Sequence, residues 1–234
     1  MPNFATIISA GFDFDLAADE DIGSKADNAL IELTGTDVDW QDTGLPRRHR
    51  RIRSWLTMWP DRASAEAYLH AYTSDIPLIT KAREHVAGLL APYASHGDVN
   101  WQSTTPAPLA LDLSPRPKKG SPVFVVTSLA FAKMGEGAIA FGKGNHAIRR
   151  IVSDQPGLLF EAQILADNQN LDGSTLTLWE DEAAMMRFAY REDPHRTSMK
   201  VKEHEDIARG SFTRLAVLSF SGAWNGKQIA IDRR

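Results

Sequence analysis

A long internal repeat constrains the fold of this chain more than any other feature of its sequence. The segment SWLTMWPDRASAEAYL, which begins at Ser54, matches STLTLWEDEAAMMRFA, which begins at Ser174. Farther along, KAREH at Lys81 is similar to KVKEH at Lys200, one residue out of step with the first match. Because the matching blocks occur in the same order, they indicate that one structural unit is duplicated within the chain.

Each copy has the pattern of strands alternating with helices, and Phe4 and Phe124 open the first strand of each copy at the same offset. β-branched, aromatic and alternating apolar residues predict the strands, and apolar residues at helical spacing predict the helices. In the first copy the predicted strands are 4–14, 51–59 and 99–104, and the predicted helices are 17–33, 61–72 and 77–90. In the second copy the predicted strands are 122–131, 158–165, 175–179 and 212–220, and the predicted helices are 137–153, one after the N-cap Asp181, and one that begins at Asp193 and Pro194.

These elements predict the α+β class and, within it, two tandem ferredoxin-like repeats of the order β-α-β-β-α-β. The first repeat spans residues 1–113 and the second spans residues 122–234, and a Pro- and Gly-containing linker lies at 114–121. Helices cover one face of the sheet in such a repeat and leave the other face apolar and bare. The two repeats are therefore expected to pack face to face as an α+β barrel within one chain. Pairing of each half with a second subunit, in a homodimer, stays an alternative.

The composition limits the partners that this chain can have. A net charge of −4 gives no strong attraction for nucleic acid or for anionic membranes. The sequence has no cysteine, which excludes disulfides, iron–sulfur clusters and thiolate-ligated haem. It has neither a signal peptide nor a membrane span of about 20 apolar residues, so a cytoplasmic protein is expected. The arginine-rich segment from Arg47 to Arg53 is interpreted as a solvated face, with anion binding as the alternative.

His195 marks an asymmetry between the two copies, and functional residues are expected at positions where the copies differ. No catalytic triad, P-loop or zinc-binding spacing is present. Among the seven histidines, His195 has no counterpart in the first copy. Pro194 predicts that His195 lies in the first turn of a helix, where the dipole disfavours the imidazolium and leaves a nitrogen lone pair available. This setting suits a metal ligand that faces the central hollow of the barrel, and it suits a surface histidine equally.

Other residues have a ligand-binding interpretation beside a structural one. Trp59 and Trp179 are interpreted as core packing, with an aromatic-lined ligand cavity as the alternative. Arg214 alternates with apolar neighbours on the last predicted strand. If Arg214 points inward, it requires an anion, such as a carboxylate of a cofactor or of a neighbouring side chain.

Several segments resemble the spheroidene monooxygenase family of carotenoid-modifying enzymes. The resemblance is strongest in PGLLF at Pro156, LTLW at Leu176, RFAYREDPH at Arg187 and FTRLAVLSFSGAWNG at Phe212, and it extends more weakly to WLTMWPDRASA at Trp55. Two segments depart from the family. An aromatic-rich segment usually follows the histidine, but here the sequence is KVKEHEDIARG, and the acidic region at 13–27 also differs. These departures leave the identity of the substrate open.

The resemblance implies a dimeric α+β barrel fold and a haem-dependent monooxygenase that acts on a hydrophobic, carotenoid-like small molecule. It implies haem b as the cofactor and His195 as the axial ligand of the iron. Arg191 and Arg214 are then expected to pair with the haem propionates. The wider superfamily includes aldoxime dehydratase-like haem proteins. A haem-dependent dehydratase of that type and a non-enzymatic barrel that binds a hydrophobic ligand therefore stay as alternatives.

Overall fold

The structure of the protein is a computed structural model. It describes residues 3–17, 26–99, 109–167, 171–191 and 206–232. The first half contains strands β1 (Phe4–Gly11), β2 (Ile31–Trp40), β3 (Pro46–Trp59) and β4 (Glu84–Gly97), with helix α1 (Arg62–Asp75) and a 3-10 helix (Pro77–Lys81) between β3 and β4. The second half contains β5 (Val123–Phe131), α2 (Glu136–Val152), β6 (Leu158–Ala166), β7 (Leu171–Trp179), α3 (Glu182–Arg191), β8 (Ile207–Trp224) and β9 (Lys227–Asp232).

Eight antiparallel strands close into a barrel in the order β4-β1-β3-β2-β6-β7-β5-β8, because β4 also pairs with β8. The first part of β8 pairs with β5, and its last residues pair with β9, which extends the sheet beyond β5. The predicted α+β class and the predicted barrel are thus confirmed. Each half contributes four adjacent strands in the same relative order, β4-β1-β3-β2 and β8-β5-β7-β6.

The predicted helix at 17–33 is wrong over the part that the structure describes. Residues 26–30 are not helical, and Ile31 begins β2. The sequence IELTGTDVDW alternates polar and apolar residues with the period of a strand, and pairing with β3 and β6 decides its conformation. Residues 18–25 lie outside the described residues. No helix is therefore seen between β1 and β2 in the described chain, and the complete β-α-β-β-α-β pattern of the first half stays a prediction.

The predicted helix at 77–90 is also wrong. Its first residues form the 3-10 helix, and the rest belongs to β4. β4 is hydrogen-bonded on both sides, to β1 and β8, and a strand buried in this way is hard to distinguish from a buried helix by its sequence.

The sequence did not predict β9, and of the predicted strand at 99–104 only Val99 is described, outside any strand. The strands predicted at 51–59, 122–131, 158–165, 175–179 and 212–220 and the helices predicted at 61–72 and 137–153 are present.

The strand register corrects one part of the repeat. Phe4 pairs with Trp59, whereas the residue that pairs with Trp179 is Val123. Phe4 therefore corresponds to Val123 and not to Phe124. A shift of one residue places a side chain on the opposite face of a sheet. Phe124 accordingly lies in the barrel interior, while Phe4 packs against the outer face of the first half.

The barrel interior is filled with apolar side chains. Ile7, Leu56, Phe124, Phe160 and Phe220 all lie there, and each is at most 1% exposed. Close packing of this kind is typical of small barrels, whose interior side chains fill the available space. In the described part of the chain, these side chains occupy the place where a central hollow was expected.

Candidate functional site

A cavity of about 430 Å³ lies between the outer sheet face of the second half and the helices α2 and α3. Alternation along the strands creates this face. Phe124 and Val126 point into the barrel. Val125 lies between them and Thr127 follows Val126, so both of these side chains point outward. Apolar side chains from sheet and helices supply most of the wall: Val125, Leu129, Phe141, Ile148, Phe188 and Phe212. The polar side chains that reach the cavity are Thr127, Asn145, Gln163, Thr175, Thr177 and Arg214, together with His96.

Strand pairing brings the polar groups of the cavity side by side. Thr127 on β5 lies opposite Thr175 on β7, and Thr175 lies opposite Gln163 on β6. Three adjacent strands thus present a row of hydroxyl and amide groups across the floor of the cavity. The same three residues also line a narrow extension of about 20 Å³, which ends at Trp40 and Phe131.

Gln163 is the most deeply buried of these polar residues. Its side chain belongs to a residue that is 3% exposed, and neither Nε2 nor Oε1 has a hydrogen-bond partner among the described residues. Its neighbours Ala162 and Ile164 point into the barrel, so the Gln163 side chain is on the cavity side of the sheet. Gln163 is not among the site residues predicted from the sequence. A polar residue at an alternate position of an otherwise apolar strand is the signal that could have identified it.

Arg214 reaches the cavity, as its alternation with apolar residues suggests, and its anionic partner is Glu182 at the start of α3. Glu182 also accepts a hydrogen bond of 2.6 Å from Arg116. The Nε atom of Arg214 is buried and has no hydrogen-bond partner within the described chain. The guanidinium lies 5.7 Å from the ring centre of Tyr93. Burial, followed by the charge of Glu182, raises the pKa of the Tyr93 phenol to about 12.

The structure describes only part of the other predicted site residues. His195 and the helix predicted to begin at Asp193 and Pro194 lie outside the described residues. Arg191 is the last residue of α3, and only its backbone is described. His96, on β4, is an exposed histidine at the rim of the cavity. The described residues contain no group of three or more His, Cys, Asp or Glu residues that could hold a metal ion.

The two tryptophans that match in the repeat have different surroundings. Trp59 packs on Tyr68 with ring centres 5.0 Å apart, in the apolar cluster of the first half. Trp179 packs on Phe188 at 5.3 Å and also lines the cavity. Core packing is therefore seen for both tryptophans, and Trp179 borders a cavity in addition.

The arginine-rich segment has partners inside the protein. Arg53 is 4% exposed and pairs with Asp167, and Arg48 donates hydrogen bonds to the carbonyl groups of Leu165 and Ala166. These contacts join β3 of the first half to the end of β6 in the second half, where β2 and β6 share only a short pairing. Much of this segment therefore stabilises the seam between the halves.

Fold and site together define an α+β barrel protein with a ligand-sized cavity beneath the helices of its second half. No protein-family model and no curated protein sequence matches the chain. None of the helices in the described part of the chain is long and apolar enough to cross a membrane.

Two of the similar solved structures share the fold at low sequence identity, and a third aligns with a lower TM-score. An aldoxime dehydratase aligns at a TM-score of 0.56 and 10% identity, over 92% of this chain and 81% of its own. A second aldoxime dehydratase structure, co-crystallised with butyraldoxime, aligns at a TM-score of 0.51 and 9% identity, over 92% of this chain and 79% of its own. A Fusobacterium nucleatum protein with a provisional monooxygenase name covers 99% of this chain and 98% of its own, at 10% identity and a TM-score of 0.41. None of these three is a spheroidene monooxygenase, so that resemblance stays a prediction.

Proposed function

We propose that the protein is an enzyme that binds a small, mostly apolar organic molecule in the cavity of its second half. The observation that carries this proposal is the cavity itself. Its volume of about 430 Å³ is within the range of sites for drug-sized ligands, and its apolar wall with a few convergent polar groups is typical of them. Two alignments with aldoxime dehydratases have TM-scores above 0.5 and support the same fold for this chain.

We further propose that haem b is the cofactor, with His195 as the axial ligand and Arg191 and Arg214 near the propionates. The residues of the cavity fit such a group in two respects. The wall is apolar, and the buried Nε of Arg214 still has a hydrogen to donate to a carboxylate. His195 follows Arg191 by four residues, so covalent geometry keeps its Cα within about 14 Å of the end of α3. When bound, the haem iron would supply the oxidation chemistry, and this chain would supply the pocket and the ligand to the iron.

Two reaction classes follow from this proposal. Monooxygenation is the reaction that the family resemblance implies, and dehydration of an aldoxime is the alternative that the structural similarity to aldoxime dehydratases favours. A cavity of about 430 Å³ holds one drug-sized ligand, so a haem would fill most of it and would leave room for no more than a small substrate. This size favours a compact substrate over a long carotenoid. Reduced protein assayed with small oximes and with polyenes would separate the two reactions.

A hemin titration tests the haem proposal. Hemin added to the purified full chain is expected to give a Soret band that saturates at one equivalent and weakens in His195→Ala. His96→Ala is the matched control, because His96 is the histidine that the described structure places at the cavity rim. The band should persist in this control. A band lost only in His96→Ala would replace His195 by His96 as the ligand, and no band at one equivalent rejects haem while leaving the cavity proposal intact.

We also propose that residues 1–113 and 122–234 are two ferredoxin-like repeats, joined by the linker at 114–121. The equal strand order of the two halves supports this proposal. So do two equivalent helix caps, since Asp61 accepts a hydrogen bond from Ser64 N at 2.8 Å and Asp181 accepts one from Ala184 N at 2.7 Å. Because β4 and β8 close the barrel within one chain, the barrel does not require a second copy, and sedimentation at low concentration is expected to show a folded monomer. Loss of the β-sheet circular dichroism signal on dilution to a monomer would contradict a chain-internal barrel.

A further inference from the structure

Gln163 presents an unusual combination of burial and unused hydrogen-bonding capacity. It lies where the main cavity meets the narrow extension, and it contributes to the walls of both. It is 3% exposed, and both atoms of its amide group are without a hydrogen-bond partner in the described residues. Buried polar groups in native proteins are nearly always hydrogen-bonded. A buried amide whose donor and acceptor atoms both lack a partner therefore requires an explanation.

The first half of the barrel has no such group at the equivalent position. The strand register aligns Gln163 with Thr34, because Gln163 lies opposite Thr175 and Thr34 lies opposite Trp55. The Thr34 hydroxyl donates a hydrogen bond of 2.6 Å to Asp167. The unpartnered amide is therefore a property of the half that contains the cavity.

An amide side chain requires a partner that can act in two ways. Oε1 accepts hydrogen bonds, and Nε2 donates them. Both atoms are unpartnered, so this requirement holds whichever way the amide is oriented. On the basis of the proposed small-molecule site, we propose that Gln163 binds an uncharged ligand group that both donates and accepts a hydrogen bond. A carboxamide, an oxime and a hydroxyl group are examples.

The charges around the cavity favour a neutral group over a carboxylate at this place. The polar groups that line both cavities near Gln163 are neutral, namely the hydroxyls of Thr127 and Thr175 on the floor and the amide of Asn145 on α2. The cationic side chain that lines the cavity in the described structure, Arg214, is on β8, and strands β5 and β7 lie between it and Gln163 on β6. A carboxylate has no hydrogen to donate to Oε1, and burying its charge without a cation is unfavourable.

Three probes of the same aromatic size test this proposal on the full chain as purified: naphthalene, naphthamide and naphthoate. Naphthamide carries the proposed neutral donor and acceptor, naphthoate is nearly isosteric but charged, and naphthalene has neither. Titration calorimetry is expected to show naphthamide binding about tenfold more tightly than each of the other two, the size of one or two net hydrogen bonds. In Gln163→Leu this advantage should disappear, while naphthalene binding should stay within about twofold of the native value.

The control variant is Gln228→Leu, which makes the same chemical change at an exposed position on β9. It should retain the advantage of naphthamide. Gln163→Met provides a second variant if Gln163→Leu does not fold, and it should behave in the same way as Gln163→Leu.

The outcomes separate this inference from the proposed function. Equal binding of naphthalene and naphthamide, or an advantage that survives in Gln163→Leu, overturns the role of Gln163 and leaves the cavity as a ligand site. Tighter binding of naphthoate than of naphthamide also overturns it, because an anion would then be the preferred ligand. Absence of binding by all three probes contradicts the proposed function as well.

Discussion

The two halves of the barrel share a strand order but differ on the face that their helices cover. In the first half, Trp55 pairs in register with Ile8, and both are fully buried. The same two positions in the second half carry Thr175 and Thr127, which line the cavity. The indole of Trp55 thus belongs to a closed apolar cluster, whereas the small Thr175 side chain leaves room. This face is therefore closely packed in the first half and contains a cavity in the second half.

The two halves also differ in the charge of the side chain at a second pair of equivalent positions. The register aligns Leu89 of the first half with Arg214 of the second, because Thr6 lies opposite Leu89 and Val125 lies opposite Arg214. Leu89 belongs to the apolar cluster of the first half, whereas Arg214 pairs with Glu182 beside the cavity. At the same place in the fold, the first half therefore has apolar packing and the second half has an ion pair.

The largest expected effect comes from opening the packed half. Trp55→Thr copies the second-half residue into the first half and leaves a void where a fully buried indole was. We expect the free energy of unfolding to fall by about 3–5 kcal/mol, as for other large-to-small core substitutions. Urea denaturation measures this change. The control Thr175→Val should alter stability by no more than about 1 kcal/mol, and a similarly small loss in Trp55→Thr would mean that the first half is not tightly packed.

The reverse substitution closes the open half. Thr175→Trp copies Trp55 into the cavity floor, and the indole is expected to occupy the space that a ligand needs. Binding of naphthalene should weaken by about a hundredfold, equivalent to about 2.7 kcal/mol. Calorimetry on folded protein checks this expectation, with Thr175→Val as the variant that keeps the volume and the binding. Unchanged affinity in Thr175→Trp would place the ligand elsewhere.

The raised pKa of Tyr93, which lies beside Arg214 of the cavity, predicts that the stability of the protein changes at alkaline pH. Its pKa is raised to about 12 in the folded protein, chiefly by burial. The unfolded phenol ionises near pH 10, so stability is lost as the pH rises from about 10 to about 12, by about 2–3 kcal/mol in total. Tyr93→Phe should lack this loss. Urea unfolding of both proteins at about pH 9 and about pH 12 tests it, and parallel changes in the two proteins would exclude Tyr93 as the source.

The smallest expected effect compares the ion pairs at equivalent helix starts. Glu182→Gln removes the charge that Arg214 requires, and both side chains are about three-quarters buried. A loss of about 1–2 kcal/mol is expected. In the first half, Arg62→Gln breaks an exposed pair with Glu66 and should cost less than about 0.5 kcal/mol. Equal losses in the two variants, measured by urea denaturation, would show that the ion pair beside the cavity has no special weight.

Parts of the fold could be predicted because they rest on local patterns. Asp61 and Asp181 are recognisable N-caps, and the strand at 122–131 is rich in β-branched residues. The segments at 26–33 and 77–90 do not form the predicted helices, because pairing with distant strands and not local periodicity decides the conformation of β2 and β4. Arg214 was correctly expected to need an anion, but its partner Glu182 lies 32 residues away in the chain, and no sequence pattern connects the two.

The sequence by itself determined that the segments at Ser54 and Ser174 are similar, that the class is α+β and that the second half differs from the first. Those properties depend on residue order and local periodicity, which can be observed without coordinates. Only the tertiary structure decided that the barrel interior is filled and that the cavity lies under the helices of the second half. The reason is the strand register, because a shift of one residue would exchange the two faces and turn Gln163 from the cavity into the core.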